Sequence, residues 1–571
     1  MKKTLLFGFL LASLAGWSQS DPVWTKAKLN GLSYRSVGPA ITSGRVADIA
    51  VHPDNFSTYY LALASGGVWK TTNNGTTYEP IFDGEGSYSI GCVTIDPSNP
   101  NTVWVGSGEN NNQRSVAYGD GIYKSVDNGK SWTNMGLKTS EHIGMIAVHP
   151  NNSDVVYAAA TGPLWSAGGE RGLFKTEDGG KSWNAILTIS ENTGINEVHL
   201  DPRNPNVIYA TAHQRRRHVF TYMTGGPESA IYKSTDGGKS FSKLSKGLPS
   251  SDIGRIGMAV SPVDPDVLYA LLEGHGTYRS KDRGASWSKR SDHQTSGNYY
   301  VELFAHPTDV DIVYSMDTYG KVSVDGGKTF KNINESSKHV DNHCLWINPS
   351  NTNHMIIGCD GGVYETFDSM KTWLWKENIP TIQFYRVAVD NAEPFYNIYG
   401  GTQDNNSLGG PSRTQYNRGI INEDWYVTNG GDGFESQIDP TNPNIVYAQA
   451  QYGWLVRFDK SSGETAMIQP QNGEDEPAYR WNWDAPLIIS PHDPSTLYFA
   501  ANVVFKSTNK GNSWEVISED LSKQIDRNTL KVMGQNWGPD AITPHRSTSI
   551  FGNIVMLREN PSIKGELWAG T

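Results

Sequence analysis

The sequence predicts an all-β protein of four-stranded antiparallel blades, arranged as one large or two tandem β-propellers with about ten and a half blade units. Three observations predict this fold. A short motif recurs eight times, a pair of apolar runs joined by a Pro/Asn turn recurs eleven times, and most motif copies lie 43 to 58 residues apart. A repeat of this length with strand-like composition is typical of propeller blades.

The short motif predicts a tight turn at one corner of each blade. Examples are "YKSVDNGKSW" (Tyr123–Trp132) and "YKSTDGGKSF" (Tyr232–Phe241), where glycine follows two residues after the acid in every copy except the one with Met370. The central positions are Asn73, Asp127, Asp178, Asp236, Asp282, Asp325, Asp368 and Asn509. An Asp side chain accepts N–H groups across its own turn, and glycine supplies positive φ. A catalytic carboxylate would not recur in eight identical settings, so we interpret the six Asp residues as structural.

The paired apolar runs predict the other strands of each unit. In "VTIDPSNPNTVWVGSG" (Val93–Gly108) the runs are strands A and B, and strand C, the motif turn and strand D follow. The 141 residues between Asp368 and Asn509 are three times 47, which indicates two degenerate motifs, one of them in "RFDKSSGE" (Arg457–Glu464). We expect a lead-in over 21–33, regular blades over 34–380, and further blades with long loops over 381–571.

The last unit breaks off after strand B, in "GELWAGT". This half unit either pairs across the ring or shows that the chain is the front part of a longer protein, which we favour.

Residues 1–20 predict a cleaved signal peptide. Lys2 and Lys3 precede the apolar run "LLFGFLLASLAGW" (Leu5–Trp17), and small residues lie before Asp21. No later stretch is apolar enough to span a membrane. We therefore expect a secreted, periplasmic or cell-surface protein.

Charge and cysteine content narrow the function classes. The net charge of −11 argues against a nucleic-acid partner. The three cysteines match no disulfide framework and no zinc pattern. Cys344 and Cys359 flank a predicted hairpin near Asn351, so they either face each other as a pair or are two buried thiols. We predict no metal and no cofactor, since no motif for either is present.

Loop lengths predict where a binding site lies. The A–B and C–D turns are short, whereas the B–C and D–A loops vary, and these long loops should converge on one face of the propeller. Tryptophans and acids on these loops suit sugar rings. The catalytic candidates are Asp404, Asp432 and Asp484, and the ligand-binding candidates are Arg45, Glu109, Arg215, Arg216, Arg217, Trp481 and Trp483.

Two of these segments have structural alternatives. "RWNWDAP" (Arg480–Pro486) is either a lip of the site or ordinary loop packing. "QRRRH" (Gln214–His218) either grips an anionic ligand or is a solvated or locally paired loop.

The motif resembles the Asp-box, or BNR repeat, of sialidases, sortilin-type receptors and xyloglucanase-type glycoside hydrolases. Beyond it, "YRSVGPAITSGRVADIAVHP" (Tyr34–Pro53), "GGTQDNNSLGGPSRT" (Gly400–Thr414) and "RWNWDAP" resemble large exported bacterial proteins labelled sortilin-like or glycosyl hydrolase. That resemblance implies a longer full-length chain. The Arg-Ile-Pro tripeptide of sialidases is absent, which argues against sialidase activity.

Two functions stay open at this point. We favour a non-catalytic propeller that binds a protein, peptide or glycan on its long-loop face. The alternative is a glycoside hydrolase acting on a polysaccharide. An enzyme should bring two carboxylates together in an open cleft lined by Trp, whereas a binder should show ion-paired acids.

Overall fold

A computed structural model describes residues 34–111, 116–297, 299–542, 544–545 and 548–571. The predicted signal peptide and the lead-in over 21–33 lie outside these residues. Residues 38–571 form one compact unit, described below. Its described part holds ten four-stranded antiparallel sheets, here called blades 1 to 10, and a two-stranded sheet, unit 11. This agrees with the predicted ten and a half units of an all-β propeller protein.

The strands run in chain order from the inside of each blade to the outside, with one hairpin inserted in blade 4. Blades 1 and 2 consist of β1 (Val46–Val51), β2 (Tyr59–Leu63), β3 (Gly67–Thr71), β4 (Glu79–Pro80), β5 (Ile90–Ile95), β6 (Val103–Ser107), β7 (Ile122–Ser125) and β8 (Thr133–Asn134). Blades 3 and 4 consist of β9 (Ile143–Val148), β10 (Val156–Ala160), β11 (Gly172–Thr176), β12 (Asn184–Leu187), β13 (Thr193–Asp201), β14 (Asn204–Gln214), β17 (Ala230–Ser234) and β18 (Ser242–Lys243), with the inserted hairpin β15 (Arg216–His218) and β16 (Thr221–Met223).

The later blades repeat the arrangement. Blades 5 to 7 consist of β19 (Ile256–Val260), β20 (Leu268–Leu272), β21 (Gly276–Ser280), β22 (Ser288–Ser291), β23 (Leu303–Ala305), β24 (Val313–Ser315), β25 (Lys321–Ser323), β26 (Lys331–Asn332), β27 (Asn342–Ile347), β28 (Met355–Cys359), β29 (Gly362–Thr366) and β30 (Leu374–Trp375). Blades 8 to 10 and unit 11 consist of β31 (Phe384–Val389), β32 (Asn397–Thr402), β33 (Ser407–Pro411), β34 (Tyr426–Asn429), β35 (Ser436–Ile438), β36 (Ile445–Ala450), β37 (Trp454–Asp459), β38 (Glu464–Met467), β39 (Leu487–Ser490), β40 (Asp493–Ala500), β41 (Val504–Ser507), β42 (Glu515–Val516), β43 (Met556–Glu559) and β44 (Leu567–Gly570). Helical structure in the described chain is limited to three short 3-10 turns, at Asn422–Asp424, Gln451–Gly453 and Arg527–Thr529.

Blades 1 to 7 close into a ring. From blade 1 to blade 6 the innermost strands of successive blades lie side by side, blades 6 and 7 share an apolar cluster, and β27 of blade 7 lies beside β1 of blade 1. Val46 and Leu61 of blade 1 share an apolar cluster with Cys344 and Ile356 of blade 7. The second strands are buried on both faces, since each blade packs between two neighbours.

Blades 8 to 10 and unit 11 form an arc that follows the ring in sequence. Tyr399 of blade 8 packs with Val446 of blade 9, and Tyr498 of blade 10 packs with Leu557 of unit 11. The expected division of the chain at 380/381 falls between β30 and β31.

Each recurring motif forms the predicted C–D turn. In blade 2, Asp127 accepts hydrogen bonds from the backbone N–H and the hydroxyl of Ser131, 2.9 and 2.6 Å long. The hydroxyl of Ser125 donates to the same carboxylate at 2.8 Å and accepts from the N–H of Gly129 at 2.8 Å. These bonds lower the pKa of Asp127 to about 2. Both oxygens of the carboxylate thus accept hydrogen bonds from their own turn.

The residue after the central acid joins this turn to the A–B turn of the same blade. In blade 2, Asn128 donates its N–H to Asn101 O at 2.9 Å, and in blade 3 Gly179 donates to Asp154 O at 3.0 Å. The same contact is present in all eight blades that carry the motif. In the first blade the N–H of Asn74 donates to Ser57 O, and in the last the N–H of Lys510 donates to Ser495 O. The C–D and A–B turns therefore occupy one edge of the blade, which leaves the B–C and D–A loops on the other.

The cysteines of the chain are free and buried. In the β27–β28 pairing Cys344 lies opposite Gly358, and Cys359 lies opposite Asn342. Of the two alternatives expected from the sequence, the structure holds two buried thiols. In the part of the chain that is described, no helix is long and apolar enough to cross a membrane.

Candidate functional site

A cleft of about 640 Å³ opens between the long loops of the ring and those of the arc. The ring contributes Trp165 from the B–C loop of blade 3 and Arg217 to Val219 from blade 4. The arc contributes Tyr385, Phe434, 482–484 and the long loop after β42. Loops of the type expected to carry function thus meet at this cleft.

One wall of the cleft is aromatic. The rings of Tyr385 and Phe434 lie 4.6 Å apart, and Phe434 lies 5.8 Å from Trp483. Tyr452 meets Trp483 edge-on at 5.1 Å. Trp165 is 45% exposed on the ring side. Such faces stack on the C–H faces of sugars.

The two tryptophans of "RWNWDAP" have different surroundings. Trp481 is buried, and its ring stacks on Phe505 at 5.4 Å and lies 4.8 Å from Phe499. It therefore packs in the core between blades 9 and 10, as the loop-packing alternative expected. Trp483 lines the cleft.

Asp404 and Asp432 lie on two loops that are bonded to each other. Asn406 donates its N–H to Gly431 O at 2.8 Å, and Gly433 donates to Thr402 O at 3.0 Å. Asp404 has φ of +64°, a left-handed conformation held by this pairing. Asp432 accepts a hydrogen bond from Gln451 at 2.8 Å.

Asp484 lies on the cleft wall but is paired. Its Oδ2 lies 3.0 Å from Nη2 of Arg386. Burial raises the pKa of Asp484, and Arg386 acts in the opposite direction. This carboxylate is therefore largely balanced by a local cation.

Behind the cleft, the Arg45 guanidinium binds acids from three other blades. Its Nε lies 2.8 Å from Asp360 Oδ1, its Nη1 2.5 Å from Glu109 Oε1, and its Nη2 3.0 Å from Asp404 Oδ2. Nη2 also donates to the hydroxyl of Tyr299, which donates in turn to Asp360. All these groups are buried except Asp404, whose side chain is 17% exposed. Of the ligand-binding candidates singled out by sequence, Arg45 contacts Asp404 directly, and Glu109 is joined to Asp404 through Arg45.

The acids of this cluster have divergent pKa values. Burial and the neighbouring Asp360 raise the pKa of Asp404 well above its ordinary value, although Arg45 opposes the shift. The contacts with Arg45 and His343 hold the pKa of Asp360 below its ordinary range despite burial. Burial raises the pKa of Glu109 to about 7, against the opposing effect of Arg45. Asp404 therefore retains a proton where Asp360 is ionised.

Tyr385 connects this cluster to the cleft. Its pKa is raised by burial and by the nearby charges of Asp432 and Asp404. Tyr385 lines the cleft, whereas neither acid is among the described lining residues, so Asp404 and Asp432 lie behind this wall.

The "QRRRH" segment is neither solvated nor a loop. Arg215, Arg216 and Arg217 are all buried, and Arg216 to His218 form strand β15. Arg217 lies over the ring of Trp165 at 5.8 Å and that of Tyr222 at 5.5 Å. The hairpin therefore presents cations from within the ring to the cleft.

Sequence reasoning missed Asp360, Tyr299, Tyr385 and Phe434. One signal for Asp360 was present: "GCDGGVYET" (Gly358–Thr366) aligns with "LASGGVWKT" (Leu63–Thr71), where Ser65 stands at the position of Asp360. In "SMDTYGKVS" (Ser315–Ser323) Asp317 stands at the same position, so the acid in this short turn was only a weak signal for Asp360. The two aromatic residues gave no such signal, because aromatics occur throughout the blades.

Comparison with known proteins agrees with the propeller fold. No family model matches the chain. It is 26% identical to sortilin from Danio rerio over 341 residues, and the alignment covers 55% of this chain and 37% of sortilin. It is 25% identical to a xyloglucanase from Paenibacillus sp over 290 residues, and the alignment covers 40% of this chain and 25% of the xyloglucanase. The matched part thus spans less than two fifths of either relative.

Among solved structures, a GH74 enzyme from Niastella koreensis superposes with a TM-score of 0.56 at 17% identity, covering 84% of this chain and 73% of that chain. This likeness concerns the fold. The chain is a β-propeller protein similar to sortilin and to the xyloglucanases.

Proposed function

We propose that the protein is a glycoside hydrolase that cleaves a polysaccharide bound in the cleft, with Asp404 as general acid and Asp432 as its partner carboxylate. One observation carries the proposal. A carboxyl that keeps its proton, Asp404, lies near a second acid, Asp432, and both act on Tyr385, which lines the aromatic cleft. This replaces the non-catalytic binding module that we favoured from the sequence.

Asp404 suits the role of acid. Glycoside hydrolysis needs a carboxylic acid to protonate the leaving oxygen, and burial or a like charge supplies the raised pKa. Asp360 is the like charge, and Arg45 holds both carboxyls in place. The partial exposure of Asp404 gives a substrate oxygen access to its proton.

Asp432 suits the role of partner better than Asp484 does. A carboxylate paired with arginine is a poor base or nucleophile, and Asp484 is bound by Arg386. Asp432 is only partly buried, its charge acts on Asp404, and its loop is hydrogen-bonded to the loop of Asp404. Asp484 then serves to orient substrate hydroxyls.

The relatives support the reaction class. Several curated proteins that match 30 to 40% of this chain are xyloglucanases. A polysaccharide substrate also fits the export predicted by the first 20 residues.

The test is the release of reducing ends from a panel of polysaccharides, with xyloglucan included. Asp404→Asn should lower the rate about 100-fold or more while the melting temperature is unchanged. Asp432→Asn should have a similar effect. Asp540→Asn, an exposed acid in the long loop after β42, is the matched control and should keep full activity.

A second function, binding without hydrolysis, is favoured by the contacts that Asp404 and Asp484 make with Arg45 and Arg386. Acids that are paired with arginines in a cleft can bind the hydroxyl groups of a glycan without catalysing a reaction. If the folded protein binds glycans in an array but releases no product from any of them, this second function is correct and the hydrolase proposal is wrong.

A further inference from the structure

A group of arginines without carboxylate contacts lies behind the ring side of the cleft. Arg215 is fully buried, and its Nη2 donates to Thr161 Oγ1 at 3.0 Å and to Gly162 O at 2.9 Å. Arg171 donates only to backbone oxygens, including Thr161 O at 2.9 Å. Arg216 donates to the side chain of Asn192 at 2.7 Å. Among the described residues, all hydrogen-bond partners of the three guanidinium groups are neutral.

These guanidinium groups are not fully satisfied. Nε and Nη1 of Arg215 and Nε of Arg216 are buried and have no hydrogen-bond partner among the described residues. Buried charges usually pair with an opposite charge, since an uncompensated buried charge is strongly destabilising. The local excess of positive charge is therefore an unusual feature of this hairpin.

The three arginines stay charged at neutral pH. Burial and repulsion by Arg215 and Arg216 lower the pKa of Arg171 to about 9, and burial lowers the pKa of Arg215 to about 10. The nearest carboxylates, Glu141 and Glu191, act on them through space without forming an ion pair.

The positive charge continues onto the cleft surface. Arg217 of the same hairpin lines the cleft beside His218, which is neutral because burial lowers its pKa, and Lys523 lines the cleft from the long loop after β42. The only acidic side chain among the lining residues described is Asp484, which Arg386 balances. The chain as a whole carries a net charge of −11, so this wall is opposite in sign to the molecule. A cleft lined by charges of one sign raises the local concentration of ligands with the opposite charge.

We propose that the cleft takes an anionic glycan, a polymer carrying carboxylate or sulfate groups, whose acidic groups lie along Arg217 and Lys523. The guanidinium group of arginine binds a carboxylate or a sulfate group through two parallel N–H···O hydrogen bonds. This inference rests on the proposed function, since it names the substrate class of the same site.

Affinity electrophoresis and calorimetry with three polymers test the inference: polygalacturonate for carboxylates, a sulfated galactan for sulfates, and xyloglucan as the neutral polymer. We expect an anionic polymer to bind about tenfold more tightly than xyloglucan at low salt, and to lose most of that advantage near 0.5 M salt. Lys523→Gln, an exposed change that leaves the fold intact, and Arg217→Gln should each weaken binding several-fold. Lys239→Gln, an exposed cation at the C–D turn of blade 4 on the other edge, is the control and should change nothing.

The outcomes separate this inference from the hydrolase proposal. Cleavage of xyloglucan with no preference for either anionic polymer overturns the inference and leaves the hydrolase proposal standing. Tight, salt-sensitive binding of an anionic polymer without cleavage supports the inference and contradicts the hydrolase proposal. Equal binding by wild type and Lys523→Gln overturns the placement of the acidic groups.

Discussion

Nη2 of Arg45 lies 3.0 Å from Oδ2 of Asp404, and this contact joins blade 1 of the ring to blade 8 of the arc. The same guanidinium also binds Glu109 of blade 2 and Asp360 of blade 7. One side chain therefore ties four blades together directly behind the cleft. The stability of the ring-to-arc junction and the protonation of Asp404 depend on the same contacts.

Arg45→Met should strongly destabilise the protein. The change leaves Asp360 and Glu109 buried without their cation, and breaking a buried ion pair in this way costs about 3–5 kcal/mol. The measurement is the free energy of unfolding in urea at pH 7. Lys289→Met is the control, because Lys289 and its partner Asp292 are 47% and 95% exposed and such surface pairs contribute little to stability. Similar losses for both variants would contradict a special role for Arg45.

Glu109 should make stability depend on pH. Its folded pKa of about 7 exceeds the ordinary 4.5, so the unfolded chain releases this proton first as pH rises. The free energy of unfolding should therefore fall between about pH 4.5 and 7, by roughly 1–3 kcal/mol, and then level off. Glu109→Gln lacks the titrating group and should lose this part of the slope.

The comparison is the difference between the two unfolding curves across pH, since other groups titrate equally in both proteins. Asp360, whose pKa is depressed, loses its contribution only below about pH 3.8 and lies outside this window. Parallel curves for wild type and Glu109→Gln would show that Glu109 does not titrate in the window.

The fold was predictable from sequence because each blade repeats the same short-range interactions. The Asp127 turn, the apolar strands and the short A–B turn are all encoded within about 50 residues. Even the degenerate motif at Arg457–Glu464 keeps its turn, where Asp459 accepts from the N–H of Ser461 at 2.8 Å.

The site was predictable only in outline. Loop lengths pointed to the correct edge of the blades, and Asp404, Arg45 and Glu109 were singled out individually. Their contacts join positions up to 359 residues apart, and no local pattern encodes which loops meet. The same limit explains why Trp481 and Trp483, two residues apart, could not be told apart as core and cleft.

Trp132→Phe should weaken the packing between blades. The indole N–H of Trp132 in blade 2 donates to Ile81 O after blade 1 at 2.7 Å, and Trp183 repeats the bond to Met135 O at 2.9 Å. Loss of one such bond should cost about 1 kcal/mol, because phenylalanine keeps the ring but not the donor. Trp454→Phe, at a site that is 53% exposed, is the control in the same unfolding measurement. A smaller effect at Trp132 than at Trp454 would contradict this role.

The three thiols should be inert in the folded protein. Cys92, Cys344 and Cys359 are buried, and burial raises the pKa of Cys92 and of Cys344 well above the ordinary value. A thiol reagent such as Ellman's should label none of them in the native state and all three in guanidinium. Fewer than three labelled thiols in denaturant without reductant would reveal a disulfide and contradict the structure.

Asp360→Asn should move the pH dependence of catalysis. The negative charge of Asp360 helps to keep the proton on Asp404, so its removal lowers the pKa of Asp404. In the proposed mechanism Asp404 must be protonated, and the alkaline limb of kcat/KM should shift to lower pH by about one unit. The melting temperature of the variant, measured at the same pH values, separates this shift from unfolding.

A merely structural role for Asp360 predicts a different result. Activity would then fall by the same factor at every pH, and the alkaline limb would stay in place. Asp390→Asn provides the matched control, because Asp390 is a buried acid of blade 8 that hydrogen-bonds Asn397 and Tyr399 away from Arg45. Its pH profile should coincide with that of the wild type. A displaced limb in Asp360→Asn alone therefore identifies the carboxyl pair of Asp360 and Asp404 as the group that sets the working pH of the site.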